Sequence, residues 1–532
     1  MLHLHRRVGK AFMNKTQSSV LLTRLVSITC RGKIISQENL FRYTNGRFLV
    51  DEENQCRKRN VRFDISSLCE LVGNLCETAS PVIAIDKLEG GFSKALLMKR
   101  ADGTELVAKI PCRNAGLPYY TTASEVAVLH YIREHTSIPV PKVLAWSSSS
   151  TNPVGAEYIV MDKASGVQAF QIWSDLDGLA RLSVIKQMVD IEREMALIRF
   201  PAFGHLYHTE HISDYTSTFP LDSFVDSSGK FCIGPSCDRT WHTQVGVSGQ
   251  DTNINGPYPT GNPRLSPVAE PAQQIKVLET AAKVMEILHT NKRLCDLSIP
   301  LLWHTDLHMG NIFLSPGDSA QIVSIIDWQS ICVGPAFLQI RWPVFLEPPA
   351  DYALGFVKPK LPENFDDLDA INQEIANYKF KKANRTKAYE TATFLNNKFA
   401  HNARNVHEIF KELFVRCDEA SQDGIIPLRD CLISISQSWN ELGFTGSPPI
   451  QFSPEELEAH RKDYDEYQEW HNIQRFAREY LDTDAEGWIS PEVDFEKKLQ
   501  QNRELFELFV KQMANGRTRE EIKQAWPFAA AL

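Results

Sequence analysis

The chain has 532 residues, 43% of them hydrophobic and 23% charged, an ordinary globular composition long enough for two or more packed units. Residues 1–37 hold seven Lys or Arg and no acid, so the formal charge of −9 leaves −16 on the remainder; an acidic body lacks the dense basic face of a nucleic-acid binder. No stretch nears the ~20 uninterrupted apolar residues of a membrane-spanning helix, since Arg24 interrupts the most apolar N-terminal run.

The basic, acid-free segment 1–37 has the composition of a mitochondrial targeting segment, followed by a first lobe over 38–163 and a second over 164–532. Eleven scattered cysteines show no paired metal-ligand spacing: neither Cys232/Cys237 nor Cys69/Cys76 has a matching Cys/His pair, so free thiols and no zinc site are expected. In chain order, Asp64 to Cys76 reads as a helix with Leu68, Leu71, Val72 and Leu75 on one face. The alternating run Val82 to Leu88 leads into Gly90-Gly91. Ala95 to Lys99 and Glu105 to Ile110 read as strands joined by an Asp102-Gly103 turn. A helix from about Thr122 to Glu134, an extended Pro139/Pro141 connection, a short strand Tyr158 to Met161 and a hinge at 162–166 follow. Leu179 to Ile198 and Ile275 to Thr290 have helical periodicity, and the Gly/Pro/Ser/Asn-rich stretch 225–267 between them reads as a surface insertion. Beyond Asp366 the chain becomes helical and charged, with helix starts at Ser453-Pro454 and Ser490-Pro491; these helices are expected to complete the second lobe.

The chemistry concentrates in His304-Thr305-Asp306-Leu307-His308-Met309-Gly310-Asn311 and Ile325-Ile326-Asp327-Trp328. Phosphoryl transfer requires mainly positioning and charge neutralisation: one carboxylate near the incoming hydroxyl, and oxygen donors for the metal that bridges the phosphates. Asp306 and Asn311 supply a carboxylate and an amide on one loop. A strand from Ile312 to Leu314, a turn at Pro316-Gly317-Asp318 and a returning strand from Gln321 to Ile326 would carry Asp327 back beside Asn311. His304 would brace the loop through backbone hydrogen bonds.

This pattern resembles the HxDxxxxN loop and IID(W) segment of the aminoglycoside phosphotransferase and choline kinase superfamily. The resemblance implies an α+β, protein-kinase-like two-lobe fold: a small antiparallel sheet with one helix, then a larger, mainly helical lobe. It implies Asp306 as catalytic base and Asn311 and Asp327 as Mg²⁺ ligands, with ATP bound between the lobes. In the first half, Gly90, Gly91 and Ser93 would form the loop over the phosphates, Lys109 would reach them from a strand, and Glu125 would orient Lys109 from the next helix. Adenine would dock on the backbone of Asp162 to Ala164. Stretches such as Phe41 to Leu49, Ile138 to Val143 and Phe231 to Pro235 further resemble the fungal altered-inheritance-of-mitochondria protein nine group, which implies a mitochondrial location.

The leading expectation is therefore an ATP- and Mg²⁺-dependent kinase of a small hydroxyl- or amine-bearing metabolite; the alternative is an inactive pseudokinase scaffold. A protein kinase or a nucleotidyl-transferring relative on the same scaffold is the second alternative, and the lack of an Asp-Phe-Gly followed by Ala-Pro-Glu counts against an ordinary protein kinase. An acceptor pocket is expected between the 225–267 insertion and the acidic C-terminal helices. The acidic turn Asp482-Thr483-Asp484-Ala485-Glu486-Gly487 mimics a Ca²⁺ loop, but its twelfth position is Val493, where a bidentate carboxylate is needed; no calcium site is expected.

Overall fold

The computed structural model describes residues 26–212, 217–239, 258–259, 272–317, 320–512 and 516–532. The protein is α+β, with two compact units: residues up to Thr122, Val143–Lys163 and Ser453–Leu532 form the first, and Ala123–Lys142 with Ala164–Phe452 the second.

The first unit is built on a seven-stranded sheet in the order β2-β1-β3-β4-β5-β7-β6. Its strands are β1 (Ser27–Cys30), β2 (Lys33–Ile34), β3 (Val82–Glu89), β4 (Ser93–Arg100), β5 (Glu105–Pro111), β6 (Val143–Ser147) and β7 (Tyr158–Asp162). Neighbours run antiparallel except β1 and β3. Gly103, at φ +88°, supplies the turn between β4 and β5. Helix α1 (Ile65–Asn74) is capped by Asp64, whose side chain accepts from the Ser67 N–H. Leu68 and Val72, one turn apart, are fully buried with Ile85, Leu96, Met98 and Ala108; burying each such side chain contributes about 1.5–3 kcal/mol. Helix α2 (Tyr120–His135) begins in this unit and continues in the second.

Three expectations change here. Residues 26–37 belong to the fold and not to a leader: β1 pairs with β3, and Arg31 and Gly32, both at positive φ, make the two-residue turn into β2. The β-branched Ile28 and Thr29 favour that strand; residues 1–25 lie outside the described part. Second, residues 453–532 belong to the first unit and do not complete the second. The helix Pro454–Leu481 has the expected Ser453 capping box. Its Ile473, Ala477 and Leu481 pack with Leu49, Leu505, Phe506 and Trp526, and Trp488–Ile489 pairs with Arg47–Phe48. Third, Ser490-Pro491 starts no helix: the Val493 N–H bonds Ser490 O in a turn, and the next helix is Phe495–Gln512.

The acidic turn is occupied by protein partners. Asp484 accepts from the Trp488 N–H at 3.0 Å, Glu486 meets Arg59 at 2.5 Å, and Gly487 O accepts from the Leu49 N–H at 2.8 Å.

In the second unit, β8 (Val167–Gln168), β11 (Ile312–Leu314) and β12 (Ile322–Ile325) form a three-stranded sheet with β11 central. Gly166, at φ +85°, lies so close to Leu314 O and Val323 that a Cβ would collide with both. Two further strands, β9 (His205–His208) and β10 (Phe231–Gly234), pair antiparallel. Every residue of β10 is buried, which corrects the reading of 225–267 as a surface insertion. The apolar run Phe231-Cys232-Ile233 builds core there, while most of 240–267 lies outside the described residues. Helices α3 (Gly178–Leu197), α4 (Ala370–Asn396) and α5 (Lys398–Arg404) follow in chain order. Among the described residues no helix is long and apolar enough to cross a membrane.

Candidate active site

The loop between Trp303 and β11 is organised by backbone hydrogen bonds to side chains. His304 is 2% exposed. Its Nε2 bonds Ile326 O at 3.0 Å, and its Nδ1 accepts the Asp306 N–H at 3.3 Å. A carbonyl only accepts and an amide N–H only donates, so the ring is the neutral tautomer with its proton on Nε2. Burial pushes its pKa below the ordinary histidine range, in keeping with that tautomer.

Protonating Nδ1 would break the bond to Asp306. Because the folded-state pKa lies below the unfolded value of about 6.5, the unfolded chain takes up more protons as the medium acidifies. Stability from this site is thus complete above pH ~6.5 and lost progressively below it. His304→Gln, which retains a donor and an acceptor but cannot titrate, is expected to flatten part of the acid-side fall in denaturation midpoint; an unchanged pH profile would contradict this role.

Asn311 is 5% exposed. Its Nδ2 donates to Asp306 O at 3.0 Å, and its backbone N–H to His308 O at 2.9 Å. Since Asp306 O is an acceptor, the amide orientation is fixed, and Oδ1 is the atom turned away from that carbonyl. Asn311 O accepts the Ile326 N–H at 3.0 Å. With Ile312 opposite Ile325, this bond brings the segment carrying Asp327 against Asn311. Asp327 itself sits at φ +62°, a left-handed conformation costing a non-glycine residue about 1–2 kcal/mol. Both flanks hold it there: Ile326 O through His304, and Trp328 through its indole N–H to Ile325 O at 3.1 Å. The His304 and Trp328 rings meet edge to face at 4.7 Å. Two neighbours secure the outer side, Gln168 Nε2 donating to Gly310 O at 2.8 Å and the Phe170 N–H to Met309 O. The Asp306 side chain is 63% exposed, with His308 Nε2 3.9 Å away, so it projects from a loop that its backbone holds.

The first unit presents a second group. Gly90, Gly91 and Phe92 cap the β3–β4 hairpin, where the Gly90 N–H bonds Ser93 O at 3.1 Å. An added Cβ would meet nothing nearer than 3.8 Å at Gly90 and nothing within 4 Å at Gly91. The fold itself therefore does not require glycine at either position, and both leave open space over the backbone. Lys109, 9% exposed, lies in β5 opposite Ala95 and Ile159. Asp162 ends β7, and the chain leaves the unit at Lys163, so Ala164 falls in the second unit, as does the buried Glu125. The expected site residues therefore divide between the units: Gly90, Gly91, Ser93, Lys109 and Asp162 in the first, Glu125, Ala164, Asp306, Asn311 and Asp327 in the second.

Sequence reasoning missed the supports of the glycine hairpin. Arg59, 2% exposed, donates through Nε to Gly91 O at 3.0 Å and through Nη2 to Glu486 at 2.5 Å. Beneath the turn, Glu89 binds both Lys87, at 2.9 Å, and Lys94, all three side chains at most 1% exposed. Lys87 also donates to the carbonyls of Asn39 (2.8 Å) and Arg42 (2.6 Å). A lysine at an inward-facing strand position is the one local signal of this cluster.

A buried loop that orients an amide oxygen and a following Asp, beside a projecting carboxylate, suits chemistry on a metal-bound polyanion. The phosphotransferase enzyme family matches residues 85–338, and the chain belongs to that family. The chain is similar to a subtelomeric hrmA-associated cluster protein of Aspergillus fumigatus, 30% identical over 495 residues, covering 83% of this chain and 95% of the relative. It is also similar to the mitochondrial altered inheritance of mitochondria protein 9 of Yarrowia lipolytica, 24% identical over 518 residues, covering 87% and 86%. A solved GDP and kanamycin complex of an aminoglycoside phosphotransferase, APH(2″)-IIIa, is 12% identical over 71% of this chain and 99% of that one, with a TM-score of 0.30.

Proposed function

We propose that this protein is an ATP- and Mg²⁺-dependent phosphotransferase acting on a small hydroxyl- or amine-bearing metabolite in mitochondria. The observation that carries the reading is the orientation of Asn311: Nδ2 is committed to Asp306 O, leaving Oδ1 as a hard oxygen donor, with Asp327 held on the neighbouring turn. An amide oxygen and a carboxylate suit Mg²⁺, which takes oxygen ligands and is commonly held by one or two protein donors plus phosphates. When bound, the ion would neutralise charge developing on the phosphates.

The chain's own groups have separable tasks. Asp306, exposed on its braced loop, takes the proton of the acceptor hydroxyl or amine as the phosphoryl group transfers. Asn311 and Asp327 fix the metal. In the first unit, Lys109 neutralises phosphate charge and the open backbone at Gly90, Gly91 and Ser93 approaches phosphate oxygens. The backbone at Asp162, in the first unit, receives the adenine. The mitochondrial assignment is supported by the basic 1–25 segment and by the name of the Yarrowia relative. The acceptor stays at the level of chemical class.

Thermal unfolding of the full chain with and without Mg²⁺-ATP tests the reading. A ligand that binds only the folded state stabilises it by about 2.7 kcal/mol at one hundred times its Kd. The expected result is a rise of several degrees that needs both Mg²⁺ and Asp327 and is lost in Asp327→Ala. No shift at millimolar nucleotide would instead favour an inactive scaffold.

A further inference from the structure

The second unit buries an arginine whose donors the fold leaves unmet, and none of the groups around it takes part in the proposed reaction. Arg404, the last residue of α5, is 4% exposed, yet its Nε, Nη1 and Nη2 have no hydrogen-bond partner among the described residues. Its guanidinium carbon lies 3.8 Å from the centre of the Trp342 ring and 5.1 Å from that of Tyr389. The ring faces attract the charge but leave the guanidinium's five N–H groups without an acceptor. A buried donor without a partner costs about 1–3 kcal/mol, and more when it is charged.

The neighbouring groups add donors rather than acceptors. His401 Nε2 accepts from Asn405 Nδ2 at 3.1 Å, so the ring proton sits on Nδ1. That Nδ1, one turn before Arg404 on the same face of α5, is a second buried donor with no partner among the described residues. Burial and the charge of Arg404 hold the His401 pKa below the ordinary histidine range, which keeps the ring neutral. Glu390 is committed: Oε1 accepts from the Gly355 N–H at 2.7 Å, and Oε2 from the Tyr352 hydroxyl and Lys387 Nζ, both at 2.6 Å. Glu192, 1% exposed, accepts the Tyr389 hydroxyl through Oε2 at 2.7 Å, which leaves Oε1 unmet. Burial pushes its pKa up to about 7, so near neutral pH the acid is partly protonated and Oε1 then becomes a donor too.

This balance selects the occupant. Five N–H groups of Arg404 and one of His401 stand against a single unmet carboxyl oxygen. A water that accepts two of them brings two more donors into a region short of acceptors, whereas an anion brings acceptors only. Lys387 and Glu390 cancel, so one positive charge is left over, and it calls for a monoanion rather than a dianion. We propose that Arg404 and His401 bind one small monovalent anion, a carboxylate or a halide, enclosed beside Trp342 in the second unit.

Thermal unfolding of the full chain, without nucleotide, is followed in sodium gluconate, an anion too bulky to be enclosed, and with formate or chloride replacing it at constant ionic strength. A saturable rise of several degrees is expected, larger in formate for a carboxylate site and in chloride for a halide site. Arg404→Met removes the donors at similar volume, and a well-packed apolar residue in place of a buried charge is often neutral or stabilising. The variant is therefore expected to unfold at or above the wild-type temperature in gluconate and to ignore formate and chloride. A loss of equal size in all three media would make Arg404 a structural brace and overturn the proposal, as would a rise that never saturates. Crystals of the unaltered protein grown in formate and in bromide need no variant: formate density or a bromide anomalous peak within hydrogen-bond distance of the Arg404 guanidinium is expected, and water there in both would overturn the proposal.

Discussion

Asp306→Asn is expected to lower phosphoryl transfer by about two to four orders of magnitude, the usual contribution of a positioned general base, while Mg²⁺-ATP still raises the unfolding temperature. The separation follows from the geometry. The loop is held by the backbone of Asp306, through its N–H to His304 and its carbonyl to Asn311, and both bonds survive the substitution. The carboxylate itself is largely exposed, and among the described residues its nearest charged neighbour is His308 at 3.9 Å. An Asn side chain therefore fits the same loop but cannot accept the acceptor's proton. Turnover that survives unchanged would remove Asp306 from the chemistry; loss of nucleotide binding together with turnover would make it structural.

The second large effect is on stability. Glu89→Gln leaves two buried ammonium groups, Lys87 and Lys94, without the carboxylate that faces both. Burial already pulls the pKa of Lys87 down, and its largest restoring influence is Glu89. Removing one partner from a buried ion cluster costs about 3–5 kcal/mol, because the remaining charge is stranded in a poorly solvated interior. The carbonyls of Asn39 and Arg42 soften the loss without replacing a full negative charge. The denaturant midpoint of the variant is expected to fall accordingly. Glu105→Gln is the control: it breaks the solvent-accessible pair with Lys163, worth less than about 1 kcal/mol. Equal effects at the two sites would show that the buried cluster does not anchor the hairpin.

What could be read from the residues was local. The strand Ile312–Leu314 and its return follow from apolar runs flanking a Pro-Gly turn, and Ser453-Pro454-Glu455-Glu456 carries its capping box in four consecutive letters. The local shape of the 304–311 loop could be read because Asp306 and Asn311 lie within a few residues of one another and the hairpin that returns Asp327 is short. The unreadable parts depend on contacts far apart in the chain. Arg59 and Glu486 are separated by 427 residues, and neither sequence context distinguishes them from surface charges. Phe231–Gly234 hides in a stretch whose glycines and prolines signal loop, because four buried residues are too few to establish a period. Ser27–Cys30 disappears into the basic leader because composition is averaged over a window, whereas pairing with β3 is decided residue by residue.

The return of residues 453–532 to the first unit has a consequence for biogenesis. The first unit cannot finish folding until residues 453–532 have been synthesised, whereas every residue of the second, Ala123–Lys142 and Ala164–Phe452, is made before them. The glycine hairpin then acquires its Arg59–Glu486 strut only after residue 486 has been made, and a premature stop near Leu481 would damage the first unit while leaving every residue of the second in place.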